Sequence, residues 1–187
     1  MKTVALLLLL AALRAAAADP SSEPLKTEDG EKKFAERWRV IADLDQDGND
    51  DLILSGGPQT FGKAGGHWTV YLHRGDSFNT AGEIFAHPKA ISIEPDHDRS
   101  SQDPGSRRFA RIWVYLHSSG REGLFGYHRV GENTVDELQK LDLYPGDGGT
   151  DLGRAIYKAT FEKSPIPFKL EYSSTDEQGK VTWSKAE

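Results

Sequence analysis

The sequence predicts a mainly β fold: one compact domain of antiparallel strands, paired as blade-like hairpins, with one late α-helix. Three observations predict it. Short stretches alternate apolar and polar side chains, the period of a strand with one buried face; Ile112, Val114 and Leu116 opposite Trp113 and Tyr115 make the clearest case. Connections rich in Gly, Asp and Ser separate these stretches. Only one stretch repeats apolar residues at helical spacing, through Leu152, Ala155, Ile156 and Ala159.

The chain of 187 residues opens with Lys2, an apolar run over 4–13, Arg14 and alanines to Ala18. A charged start, a short apolar core and a small-residue exit are the parts of a secretory signal peptide, so 1–18 is expected to be removed. The run is shorter than the ~20 residues a spanning helix needs. Residues 19–33 are polar, with two prolines and a glycine, and read as a flexible leader. Residues 34–187 then form the single domain, long enough for a core.

Within that domain, Trp38, Val40 and Ala42 alternate with Arg39 and Ile41, and Leu52–Leu54 form an apolar run expected to be covered on both faces. The connection SGGPQTFGKAGG leads to a strand over 67–73. Further strands are expected over 90–93, 109–117 and 123–130, the last two paired through a turn at 118–121. Residues 134–142 fit either a helical turn, through the capping spacing of Thr134 and Glu137, or an edge strand. The helix sits behind Thr150 and Asp151 and before Pro165. Strands over 167–172 and 181–184 close the chain as a hairpin around 176–179.

Charge narrows the partners. Lys2 and Arg14 are the only charged residues in 1–18, so their removal takes the net charge from −6 to −8. That surplus of acid disfavours nucleic acid and anionic membrane. With no cysteine, an exported domain cannot be stapled by disulfides and depends on its core, on bound metal, or on both. Asn49, Asn79 and Asn133 lack the Asn-x-Ser/Thr spacing of N-glycosylation.

The chemistry concentrates in DLDQDGNDDL, residues 43–52, within a hairpin over 38–55. Asp43, Asp45, Asp47 and Asp51 stand at its first, third, fifth and ninth places, Asn49 at the seventh offers a backbone carbonyl, and Gly48 permits a sharp turn. Hard oxygen donors in this number suit calcium, which takes about 6–8 oxygens; zinc would call for His or Cys. Carboxylates aimed at one point repel one another without a cation. Without metal, the same segment is a solvated acidic turn. The twelfth place is Leu54 rather than the bidentate Glu of an EF-hand, and strands flank the loop, so calcium is expected to lock it rather than open a helix pair.

Residues 38–73 resemble the calcium loop of FG-GAP/VCBS-type repeats, found in integrin α-subunit propellers and exported bacterial proteins. The resemblance implies side-chain oxygens from Asp43, Asp45, Asp47 and Asp51 and a carbonyl from Asn49. Here Phe61-Gly62 follows the loop, whereas the family's Phe-Gly pair precedes it, and the unit occurs once. The 169 residues after 1–18 cannot supply seven blades of ~40–45 residues, so the hairpin alone carries over.

Other segments give further candidates. Arg74-Gly75-Asp76 spells an adhesion tripeptide; Asp96, His97, Asp98 and Asp103 form a polar loop, with Arg107, Arg108 and Arg111 beside it; Gly146–Asp151 is a Gly-rich approach to the helix. An exposed row among Trp38, Trp68, Trp113 and Trp183 would suit carbohydrate stacking, although burial is the usual fate of Trp. No nucleophile elbow, zinc-protease helix or P-loop is present. The function expected is a secreted or periplasmic, monomeric, non-catalytic calcium-binding module with a protein or glycan partner. The alternatives are a calcium-dependent hydrolase of an extracellular polymer and an adhesion ligand acting through Arg74-Gly75-Asp76.

Overall fold

The computed structural model describes residues 19–22, 25–26, 32–33, 36–97, 108–118, 122–142, 151–176 and 180–186; the segment 1–18 lies outside them. Two short strands, β1 (Leu25–Lys26) and β2 (Lys32–Lys33), pair with each other. The domain proper begins with β3 (Trp38–Ala42), β4 (Asp51–Ser55), β5 (Gly66–Arg74) and β6 (Ser77–Ala86). The chain then builds β7 (Ile91–Pro95), β8 (Ala110–Ser118), β9 (Glu122–Val130) and β10 (Val135–Asp142). Helix α1 (Asp151–Phe161) follows, and β11 (Lys169–Thr175) and β12 (Val181–Lys185) complete it.

These strands form two antiparallel sheets, ordered β12-β11-β3-β4-β5-β6 and β10-β9-β8-β7. The second is a meander built between two visits to the first. The chain leaves the first sheet after β6 and returns at β11 beside β3, so its last hairpin extends the sheet that its first hairpin began. The expected mainly β domain with one helix is what the chain forms.

One core joins the two sheets. Val40, Ile53, Trp68, Val70, Leu72 and Ile84 from the first share it with Ile93, Ile112, Val114 and Val130 from the second. Full burial of an aliphatic or aromatic side chain contributes about 1.5–3 kcal/mol, so this cluster supplies the cohesion that disulfides would otherwise give. Trp68 is buried and its indole N–H donates to the Ala86 carbonyl at 3.0 Å, so its polar atom is satisfied inside the core. β4 is buried along its whole length, as its unbroken apolar run predicts.

The remaining tryptophans are packed as well. Trp38 lies against the core, Trp113 packs against Tyr127 with ring centres 4.1 Å apart and planes tilted by 30°, and Arg39 covers the Trp183 ring at 4.2 Å. They form no exposed aromatic row.

Helix α1 forms where expected but presents a different face. Leu152 is 62% exposed and Ala155 and Ala159 face outward, whereas Ile156, Tyr157 and Phe161 pack on Ala90, Tyr115 and Phe125. Tyr157 meets Tyr115 edge-on at 5.1 Å, and Phe161 stacks on Phe125 at 6.0 Å. Two aromatic rings bury far more area than alanines do, so they set the rotation of the helix.

Two strands were less legible. β6, ten residues long, is hidden in the sequence because its buried residues Ala81, Ile84 and Ala86 break period two. A bulge explains the break: Val70 pairs with Gly82 and Tyr71 with Thr80, leaving Ala81 as the extra residue. Residues 135–142 are an edge strand rather than a helical turn, again with a register shift, between Glu137 and Gln139. Within the segment read as a flexible leader, residues 19–22 are docked. Ser21 is buried, its carbonyl accepting from Arg37 Nη2 at 3.0 Å and its hydroxyl from Arg39 Nη1 at 2.9 Å.

Candidate metal centre

The acidic segment, residues 43–50, is the loop of the β3–β4 hairpin, closed by the pairing of Ala42 with Asp51. Leu44, between two of its aspartates, anchors it. The Leu44 side chain is fully buried in the core, and its carbonyl accepts the Ala110 N–H of the second sheet at 2.6 Å. That anchor turns the neighbouring Asp45 inward, and the Asp45 side chain is buried too. Gln46 and Gly48 take positive φ, +54° and +89°, which folds the loop back over Asp43.

Asp43, Asp45 and Asp51 converge, with one carboxylate oxygen from each within 4.8 Å of the others. Asp47 does not join them: it is exposed, and its Oδ1 accepts from the Asn49 backbone N–H at 2.9 Å and from Asn49 Nδ2 at 3.0 Å. Asn49 is likewise exposed. Three of the five residues expected at the site are thus assembled, and two lie on the outer turn.

Backbone donors hold the assembly in shape. Asp43 accepts from the N–H groups of Asp47 (3.1 Å) and Gly48 (3.0 Å), and Asp51 from those of Leu44 and His73, both at 2.7 Å. Burial pushes the Asp51 carboxyl from its usual 3.8 up to about 6; the two N–H bonds oppose that rise, and the charges of Asp45 and Asp47 add to it.

The sequence hid one participant. Arg74, at the end of β5, places Nη1 2.5 Å from Asp45 Oδ2 and is itself only 14% exposed. Its Nη1 also donates to the His73 carbonyl at 2.9 Å. His73 and Arg74 together tie the end of β5 to Asp51 and Asp45. No local spacing could have revealed this, because 29 residues separate Arg74 from Asp45.

Arg74 is also the arginine of the Arg-Gly-Asp tripeptide. Gly75 and Asp76 are the two-residue tip of the β5–β6 hairpin, where Arg74 pairs with Ser77. Gly75 has φ +64°, the glycine-first pattern of a tight hairpin turn. Because a Cβ at Gly75 would meet no neighbouring atom, Gly75→Ala tests the backbone alone. It is expected to cost about 1–2 kcal/mol in urea unfolding.

The other polar candidates separate. Asp96 pairs with Arg111 and, at 2.9 Å, with Arg129, so its carboxylate serves arginines of the second sheet. Arg108 and His97 are exposed, and Asp98, Asp103 and Arg107 lie outside the described residues, as do 146–150. Beside the acidic loop a cavity of about 430 Å³ is lined by Asp43, Gln46, Asp50, Pro95, Phe168 and Lys169, among others. No helix among the described residues is long and apolar enough to cross a membrane. Comparison with known proteins found no matching family model, no matching curated protein and no matching solved structure.

Proposed function

We propose that the protein is a non-catalytic, calcium-binding β module in which the ion locks the β3–β4 loop against the core. The carrying observation is the convergence of Asp43, Asp45 and Asp51 within 4.8 Å, two of them buried. Such carboxylates are costly to keep together without a cation, and Arg74 supplies one positive charge against three negative ones. The donors are hard oxygens, which fit calcium and not zinc. Asp43, Asp45 and Asp51 would hold the ion, with Asp47 and the Asn49 carbonyl closing over it from the outer turn. Bound calcium would supply charge neutralisation and rigidity.

Secretion or periplasmic export and a protein or glycan partner belong to the same proposal, resting on the composition of 1–18 and on the acidic surface. The adhesion alternative is weakened by Arg74, whose guanidinium is held by buried Asp45. The hydrolase alternative draws only on the cavity beside the loop, where Asp43 and Asp50 are the carboxylates.

The test is a calcium titration of chelator-stripped protein by calorimetry, with thermal melts in parallel. A dissociation constant on the order of 0.1–1 mM is expected, as for extracellular calcium modules. Calcium at 100 times that constant should stabilise by about 2.7 kcal/mol, raising Tm by about 5–10 °C for a domain of this size. Asp43→Asn, which leaves the buried Asp45–Arg74 pair intact, should weaken binding at least about tenfold. Absence of heat and of a Tm shift at about 10 mM calcium would remove the proposal, as would unchanged affinity in Asp43→Asn.

A further inference from the structure

The acidic loop is tied to the end of β5 at two points of different kinds. One tie is made by backbone: the His73 N–H donates to Asp51 at 2.7 Å. The other is made by a side chain, where Arg74 Nη1 meets Asp45 Oδ2 at 2.5 Å. Arg74 thus sets a positive charge against the carboxylates that converge there.

Three features mark this guanidinium as a replaceable occupant rather than a fixed strut. It does not grip Asp45 with the two-pronged fork that makes arginine–carboxylate pairs strong. Its Nη1 is shared between Asp45 and the His73 carbonyl, and its Nη2 is buried without a hydrogen-bond partner among the described residues. The Arg74 backbone is held separately, by pairing with Ser77 and by the Ser77 hydroxyl, which donates to the Arg74 carbonyl at 3.0 Å. The side chain can therefore leave Asp45 with the hairpin and the Asp51–His73 tie intact. Arg74 is also the partner nearer to solvent, 14% exposed against 0% for Asp45.

One positive charge offsets only part of three carboxylates, whereas a divalent cation offsets more and draws on oxygens from all three. The two cations also repel each other. Even with the dielectric of water, a unit charge a few ångströms from a divalent ion weakens its binding about tenfold.

We propose that Arg74 is the internal competitor of the metal centre: it holds Asp45 in the calcium-free protein and gives it up on calcium binding, swinging to solvent beside Gly75 and Asp76. Resting on the calcium reading of the loop, this role adds a threshold to it. Arg74 lowers the affinity of the centre and makes the charge at the β5–β6 tip depend on calcium.

The test uses wild type, Arg74→Met and Arg74→Lys, each stripped with chelator and titrated with calcium alone. Binding is followed by calorimetry, and the Arg74 Nε–H group by its ¹H–¹⁵N signal. In the wild type that signal should move to the position of a solvent-exposed arginine as calcium saturates. Arg74→Met should bind calcium at least about tenfold more tightly, and Arg74→Lys, which keeps the charge, should stay closer to wild type. Should Arg74→Met not fold in chelator, refolding on calcium addition supports the role, and failure to refold at calcium that saturates the wild type overturns it. An unmoved Arg74 signal at saturation, or equal or weaker affinity in Arg74→Met, would overturn the role of Arg74 and leave the calcium site standing. No calcium binding in any of the three proteins would remove the calcium reading and this role together. Binding in Arg74→Met alone would remove the calcium lock from the wild type and keep Arg74 as the occupant of Asp45.

Discussion

Asp45→Ala in chelator is expected to cost about 3–5 kcal/mol, the largest loss of any single substitution at the loop. The cost comes less from the missing carboxylate than from Arg74, left 14% exposed without the carboxylate it pairs with directly. Arg74 Nη2 is already buried without a hydrogen-bond partner among the described residues, so the guanidinium has little else to fall back on. Arg74→Ala is expected to cost a similar amount, because it leaves a buried Asp45 facing Asp43 and Asp51. The pair Asp45→Asn with Arg74→Met removes both charges and keeps side-chain volume, and replacing both partners of a buried ion pair is often close to neutral. Its loss should therefore fall well below the sum of the losses of Asp45→Asn and Arg74→Met made singly, with a coupling of about 2 kcal/mol or more. Urea unfolding of the four proteins measures that coupling. A loss under about 1 kcal/mol for Asp45→Ala would mean that Arg74 swings to solvent and supports nothing.

The second large effect is a pH dependence of unusual sign. In the metal-free protein the Asp51 carboxyl holds its proton up to about pH 6, whereas in the unfolded chain it titrates near 3.8. Between those values the folded state binds more protons, so stability falls as pH rises. At about 1.4 kcal/mol per pH unit, the gap is worth about 3 kcal/mol, present below pH 4 and lost by about pH 6. Other carboxylates titrate in the same range, so the difference between wild type and Asp51→Asn isolates the term. Asp51→Asn should be less stable at every pH tested, because its amide faces one of the two N–H donors of Leu44 and His73. Its stability should nevertheless lack the decline between pH 4 and 6. Parallel pH profiles for the two proteins would show that Asp51 is ionised throughout.

His128 works in the opposite direction. Its pKa is lowered by burial, so the stability linked to it is complete above about pH 6.5 and is lost as pH falls through the folded value. Comparing wild type with the Asp51 variant therefore separates the two, since His128 is common to both.

Much of the loop was legible because its residues are neighbours in the chain. The spacing of Asp43, Asp45 and Asp51 around Gly48 singles out the three carboxylates that converge, and the alternation of Trp38, Val40 and Ala42 places a strand before them. The same reading put Asp47 in the cluster, yet Asp47 turns to Asn49. In a short turn a carboxylate satisfies the nearest free N–H first, and that choice depends on backbone angles that spacing does not state. Helix α1 is a similar case. Its location followed from periodicity, but its buried face was set by the aromatic surface of Tyr115 and Phe125 on strands elsewhere in the chain.

Sequence alone determined the mainly β class, the presence of one helix, the position of the acidic hairpin and the absence of covalent staples. Each of these is written in local periodicity, in turn chemistry or in composition. Only the tertiary structure decided that Leu44 plugs the loop into a core shared by two sheets. It likewise decided that Arg74 answers Asp45 across 29 residues, and that β6 is a strand bent by a bulge at Ala81. It also packed Val114 and His128 closely against Gly126, where a side chain would clash. These features depend on which distant surfaces meet, and burial and charge pairing between distant surfaces have no signature within a window of neighbouring residues.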